Sequence, residues 1–109
     1  MDLELRFDGL QDDVLDAVLD VLVDDIAMAD AAADGPTATV PALTVSRSRP
    51  TVRVSIDLPA DLPGARPGLL VRVRGRTPHN ERIEFFNMTA TPAATPSGGP
   101  VPVVLTRIA

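Results

Sequence analysis

The chain has one histidine, His79, in the run Thr77-Pro78-His79-Asn80-Glu81-Arg82, with Glu84 two residues further on. Histidine takes up and releases a proton near neutral pH, so His79 with Glu81 or Glu84 has the residue types for general acid–base work. No nucleophile stands at a recognisable spacing from it. A histidine beside a proline, between two strand-like runs, reads more simply as a turn residue. The other catalytic signatures are missing. With no cysteine there is no disulfide framework, thiolate nucleophile or thiolate metal site. One histidine cannot build a histidine-rich zinc cage, and no Gly-x-Ser-x-Gly elbow occurs. Asp24, Asp25, Asp30 and Asp34 crowd one stretch without the alternating Asp/Asn spacing and glycine of a calcium loop. Ser97-Gly98-Gly99-Pro100 lacks the lysine and the helix start of a phosphate loop. Asn87-Met88-Thr89 matches a glycosylation sequon but reads as strand sequence in a chain without an export signal. The expectation is a non-enzymatic protein with no cofactor and no metal.

Charge is the more specific signal. The 109 residues carry ten arginines, no lysine and fifteen acids, a net charge of −5. Residues 1–34 hold eleven of the acids and one arginine, a net of −10, whereas residues 35–109 hold four acids and nine arginines, a net of +5. Asp12, Asp16, Asp20 and Asp24 recur every fourth residue and would form one stripe along a helix. Like charges at that spacing are mildly unfavourable, and aspartate is a poor helix former. The stripe is either the solvated face of an amphipathic helix or a docking surface for a basic partner. Arg72, Arg74 and Arg76 alternate along one strand face, and Arg53 joins them if its strand pairs with theirs. They form either a polar outer face with ion pairs to Glu84 or Asp57, or a face that binds an anion or a partner. Nucleic acid is disfavoured, because the net charge repels a polyanion and three phenylalanines are the only aromatics available for stacking.

The elements that position these groups follow from periodicity. Leu3, Leu5 and Phe7 alternate with polar residues and predict a strand over 2–7. Asp8 followed three residues later by Gln11 fits a helix cap, with Gly9 making the turn. Val14, Leu15, Val18, Leu19, Leu22 and Ile26 recur at three and four and predict one long helix, ended by Gly35 and Pro36. All eleven prolines and six of the seven glycines lie from Gly35 onward, which favours strands and turns. Five runs read as strands: Ala38–Val45, Thr51–Leu58, Leu69–Arg76, Arg82–Thr89 and Val101–Ile108. Pro78 suits the second position of a type I turn, making a hairpin of the third and fourth runs. Prolines at 41, 50, 100 and 102 mark Ala38–Val45 and Val101–Ile108 as edge strands. Thr91–Pro100 reads as a loop.

These pieces predict a single domain over 1–109, with an acidic strand–helix unit (1–34) and a strand-rich unit (35–109). The expected fold is α+β, a two-layer sandwich in which the N-terminal strand and long helix pack on an antiparallel sheet of about five strands. A mostly-β sandwich with one helix is the alternative. A helix on the Val52/Val54/Ile56 face would put acid on one side of the molecule and arginine on the other. The functional expectation is a protein-protein interaction module, a small adaptor or assembly subunit that joins a protein partner or forms homo-oligomers by head-to-tail contact. The alternatives are an acidic inhibitor or immunity-type protein with a basic target, and a small enzyme using His79 with Glu81 or Glu84. Five aspartates interrupt Val14–Ala33, so it cannot span a membrane, and a cytoplasmic location is expected.

Overall fold

The computed structural model describes residues 1–25, 38–57, 67–89, 91–93 and 99–108. Among these, every regular element is a strand: β1 (Asp2–Asp8), β2 (Val14–Asp25), β3 (Ala38–Val45), β4 (Thr51–Ser55), β5 (Pro67–Arg76), β6 (Arg82–Phe86), β7 (Thr91–Pro92) and β8 (Val101–Arg107). The expected long helix is therefore overturned, and with it the α+β sandwich, the helical acidic stripe and the alternative that kept one helix. The helix's continuation beyond Asp25, including Ile26, lies outside the described residues.

The physical reason lies in β2. Ala17, Leu19, Val21 and Val23 are buried, a strict period of two. Val14 is also buried but out of phase with them, because the register slips between Val14 and Ala17. The residue that takes up the slip is Asp16, whose φ is 49°. The helical spacing arises because inward Val14 and Leu19 are read together with the outward apolar residues Leu15, Val18 and Leu22, and the bulge hides the break in phase between Val14 and Leu19. Local propensity agrees with the strand through its valines, which are stiff at χ1 and favoured in strands, while aspartate is unfavourable in either element. At the expected helix start, Asp8 instead ends β1 and Gly9 turns the chain at φ 69°.

The sheet runs β3-β2-β5-β6-β8-β1-β4, with β7 pairing the start of β5. All neighbours are antiparallel except β1 and β8. It curls into a nearly closed barrel, so the sheet serves as its own second layer and no helix is needed to cover it. Its two edges, β3 and β4, are consecutive in sequence and joined by the tight turn 46–50, where Arg49 N–H donates to Ser46 O at 2.9 Å. Phe7 N–H donates to Pro50 O at 2.8 Å, which pins the turn to β1. Inward residues from β1, β2, β5, β6 and β8 form one core, with the rings of Phe7 and Phe85 meeting edge to face at 5.1 Å.

All five strand runs of the 35–109 half are present, most of them trimmed at the ends. The β5–β6 hairpin forms as expected: Asn80 N–H donates to Thr77 O at 2.9 Å, and Asn80 takes the left-handed position at φ 62° that asparagine tolerates. β3 is an edge strand, but β8 is not, because it lies between β6 and β1. Its one proline, Pro102, is accommodated because β8 pairs with β1 over 101–106 and with β6 only at Thr106 and Arg107. Pro102 therefore sits where the β8 ladder has one side only. Within β3, Ala42 is held at φ 59°, a conformation that penalises a Cβ. Ala42→Gly is expected to stabilise the protein by about 0.5–1 kcal/mol in urea unfolding, since relief of this strain exceeds the entropy that glycine adds to the unfolded chain.

Candidate arginine groove and its apolar neighbour

Because Leu69, Val71 and Val73 point into the barrel, Leu70, Arg72, Arg74 and Arg76 of β5 point out. By the same alternation Val18, Asp20 and Leu22 face outward on β2, and Arg82, Glu84 and Phe86 on β6. Arg72, Arg74, Arg76 and Arg82 line one outer groove of about 420 Å3, together with Asp16, Val18 and Glu84. Asp16 and Asp20 of the acidic set thus share one surface with the arginines of the adjacent strand. The expected opposition of an acidic side and a basic side fails because the supposed helix is a strand of the same sheet.

Cross-strand ion pairs order this surface. Asp20 sits opposite Arg72 in register, and its Oδ2 accepts from the diagonal Arg74 at 2.9 Å, while its Oδ1 accepts from Thr39 Oγ1 of β3 at 3.0 Å. Arg72 Nη2 donates to Glu84 Oε2 at 3.1 Å. Of the two carboxylates expected to meet the arginine strand, Glu84 does so. Arg76 Nη1 donates to Asn80 Oδ1 at 3.0 Å. Arg82 lies directly opposite Arg76, and among the described residues neither has a carboxylate partner. Arg53 is not part of this cluster: β4 pairs with β1, where Arg53 faces Glu4 at 3.9 Å.

The acidic set is divided. Asp16 lines the groove at the β2 bulge and Asp20 is bonded as above, whereas Asp12 precedes β2 and does not line the groove. Asp24 lies opposite Gly68 at the end of β2, and its side chain is outside the described residues. Of the residues proposed for acid–base work, His79 and Glu81 are exposed in the hairpin turn, each donating its backbone N–H to Thr77 Oγ1 at 3.2 Å. Glu84 is engaged by Arg72.

The same outer surface continues into an apolar groove of about 300 Å3 whose lining includes Leu22, Leu70, Phe86 and Ile108, with Arg72 and Asn87 at its border. Neither this groove nor Arg82 is marked by the charge pattern. Arg82 was within reach of sequence reasoning, since counting back from the turn around Pro78 pairs it with Arg76. Leu22 was hidden by its assignment to a helix. The sequon residue Asn87 is buried, and its side-chain amide donates to Leu69 O at 2.8 Å and Thr91 Oγ1 at 3.1 Å, so its role is structural.

Among the described residues, no group of three or more potential ligands could hold a metal, and no helix is long and apolar enough to cross a membrane. Comparison of the chain with protein-family models, curated proteins and solved structures finds no match.

Proposed function

We propose that this domain is a non-enzymatic protein-protein interaction module, an assembly subunit that docks a second copy of itself through the outer face of β2, β5 and β6. The observation that carries the proposal is the apolar groove of Leu22, Leu70, Phe86 and Ile108, on the outside of a barrel whose interior is already filled by a separate core. An apolar centre flanked by arginine has the make-up of a protein interface. A second copy is the occupant favoured by charge, because the face carries Arg72 and Arg74 beside Glu84 and Asp20. A copy related by a two-fold axis presents both signs to both signs. The acidic-inhibitor alternative has less support, since Asp20 is engaged by Arg74 and Thr39. A cytoplasmic setting belongs to the same proposal, and fractionation of cells expressing the protein checks it.

Light scattering over a concentration and salt series tests the assembly. The expected result is a concentration-dependent dimer that weakens moderately with salt, because the apolar part is insensitive to screening and the rim is not. Ile108 is 48% exposed, and its backbone N–H donates to Glu84 O whatever its side chain. Ile108→Asp is therefore expected to weaken association by roughly 30-fold, about 2 kcal/mol, without unfolding the barrel. A wild-type monomer at all concentrations would refute self-assembly.

A further inference from the structure

We propose that Arg76 and Arg82 form a binding site for a phosphate group, either the free ion or a small phosphomonoester. The two arginines are directly opposite each other at the turn end of the β5–β6 hairpin. Like charges placed directly across a ladder repel, so with nothing between them the pair works against the hairpin. Every other arginine of the groove has its repulsion relieved: Arg72 by Glu84 at 3.1 Å and Arg74 by Asp20 at 2.9 Å. Arg76 and Arg82 have no carboxylate among the described residues, although they line the same groove of about 420 Å3.

Geometry and charge favour a tetrahedral dianion. Asn80, fixed at φ 62° by the turn, accepts from Arg76 Nη1 at 3.0 Å and orients that guanidinium while leaving its other donors available. Each guanidinium is a planar fork suited to two oxygens of one anion. A planar carboxylate fills one fork, whereas a phosphate has enough oxygens to meet two forks from opposite strands, and its charge near −2 matches the two uncompensated arginines. Asp16 lines the groove from β2 and opposes the anion, so it sets an upper limit on affinity without occupying either fork.

The site lies on the same outer face as the docking groove, toward the turn end of the hairpin, so it is tested on the dilute monomer, where no second copy covers it. Backbone and guanidinium N–H resonances are followed by NMR during titration with inorganic phosphate and, separately, with O-phosphoserine, against acetate and chloride at matched ionic strength. The expected result is a saturable shift centred on Arg76, Asn80 and Arg82 with phosphate, weakened at least tenfold in both Arg76→Gln and Arg82→Gln and unchanged in Arg53→Gln. Asp16→Asn is expected to tighten binding by a few fold. Response to both titrants assigns a phosphate group in general, and response to inorganic phosphate alone assigns the free ion. Without phosphate, Arg82→Gln is expected to leave the melting temperature unchanged or slightly raised, because it removes a repulsion; a purely structural Arg82 would lower it. Equal shifts with acetate or chloride, no saturable shift with either phosphate compound, or undiminished binding in Arg82→Gln would each overturn the site.

Discussion

Replacing Phe85 by alanine is expected to remove about 3–5 kcal/mol of stability, the largest effect of any single truncation in the barrel. Phe85 is fully buried as the penultimate residue of β6, and its ring meets Phe7 of β1 edge to face at 5.1 Å and 89°. The ring contact is worth about 0.5–1.5 kcal/mol beyond the buried area, and the rest is transfer and cavity energy. The cavity would stay open. The chain has no tryptophan or tyrosine, and the third phenylalanine, Phe86, faces outward, so no other large ring can swing in. Much of the remaining core is valine, whose χ1 is stiff. A domain of this size is stable by about 5–15 kcal/mol in total, so urea unfolding should show a midpoint shifted by a large fraction of its value. Phe85→Leu, which keeps most of the volume, is expected to cost well under half as much. If Phe85→Ala lost less than about 1 kcal/mol, the idea that this ring is the keystone of the core would be wrong.

The 35–109 half was legible where its runs are short, alternate cleanly and stand next to proline or glycine, as Thr51–Leu58 does between Pro50 and Pro59. Val54 and Ile56, or Val71 and Val73, state their inward face without ambiguity. The turn at Pro78–Asn80 announces itself through residue chemistry that no other local structure needs. Residues 14–25 were illegible for a specific reason. Four is both close to one helical turn and an even number, so Asp16, Asp20 and Asp24 share a stripe in a helix and also one side of a strand. The bulge at Asp16 then removed the parity that would have decided the matter. Propensity held the better clue, in the four valines from Val14 to Val23, and was outweighed by periodicity.

The candidate site was legible as composition and illegible as arrangement. Arg72, Arg74 and Arg76 were correctly placed together on the outside of one strand, and Glu84 was a foreseeable partner. What one strand cannot reveal is its neighbour. β5 lies between β2 and β6, a placement fixed by pairings that skip β3 and β4, so the acids of β2 were brought beside the arginines by topology alone. Arg53 was separated from them for the same reason, since β4 closes on β1 at the far end of the sheet order. The polarity of the sequence, acidic in front and basic behind, is therefore offset on this surface at one pair, Asp20 with Arg74, while Arg76 and Arg82 have no carboxylate among the described residues.

Asn87→Ala is expected to cost about 2–4 kcal/mol, more than an ordinary polar truncation, because this amide stands in for missing backbone. β6 ends at Phe86 while β5 runs on toward Pro67, and β7 begins pairing only at Thr91 opposite Leu69. Between these two partners, Asn87 Oδ1 accepts from Val71 N–H at 2.8 Å and Nδ2 donates to Leu69 O at 2.8 Å and to Thr91 Oγ1 at 3.1 Å. Its own N–H donates to Val71 O at 3.3 Å and survives the substitution. Alanine leaves the Val71 N–H and the Leu69 carbonyl without their partner at a buried position, each costing about 1–3 kcal/mol, with water recovering part. The Asn87→Asp variant separates the two halves of the role. Its carboxylate still accepts from Val71 but turns a second acceptor toward Leu69 O, and the lost donor returns only when the carboxyl group is protonated. Its deficit relative to wild type should therefore be large at neutral pH and shrink as the pH falls toward the ordinary carboxylate range, because the folded state binds the proton more tightly than the unfolded chain does, whereas the deficit of Asn87→Ala stays constant. Hydrogen exchange locates the damage: the Val71 amide should lose protection in Asn87→Ala and retain it in Asn87→Asp. Retained protection of Val71 in Asn87→Ala would show that the amide does not bridge the two strands.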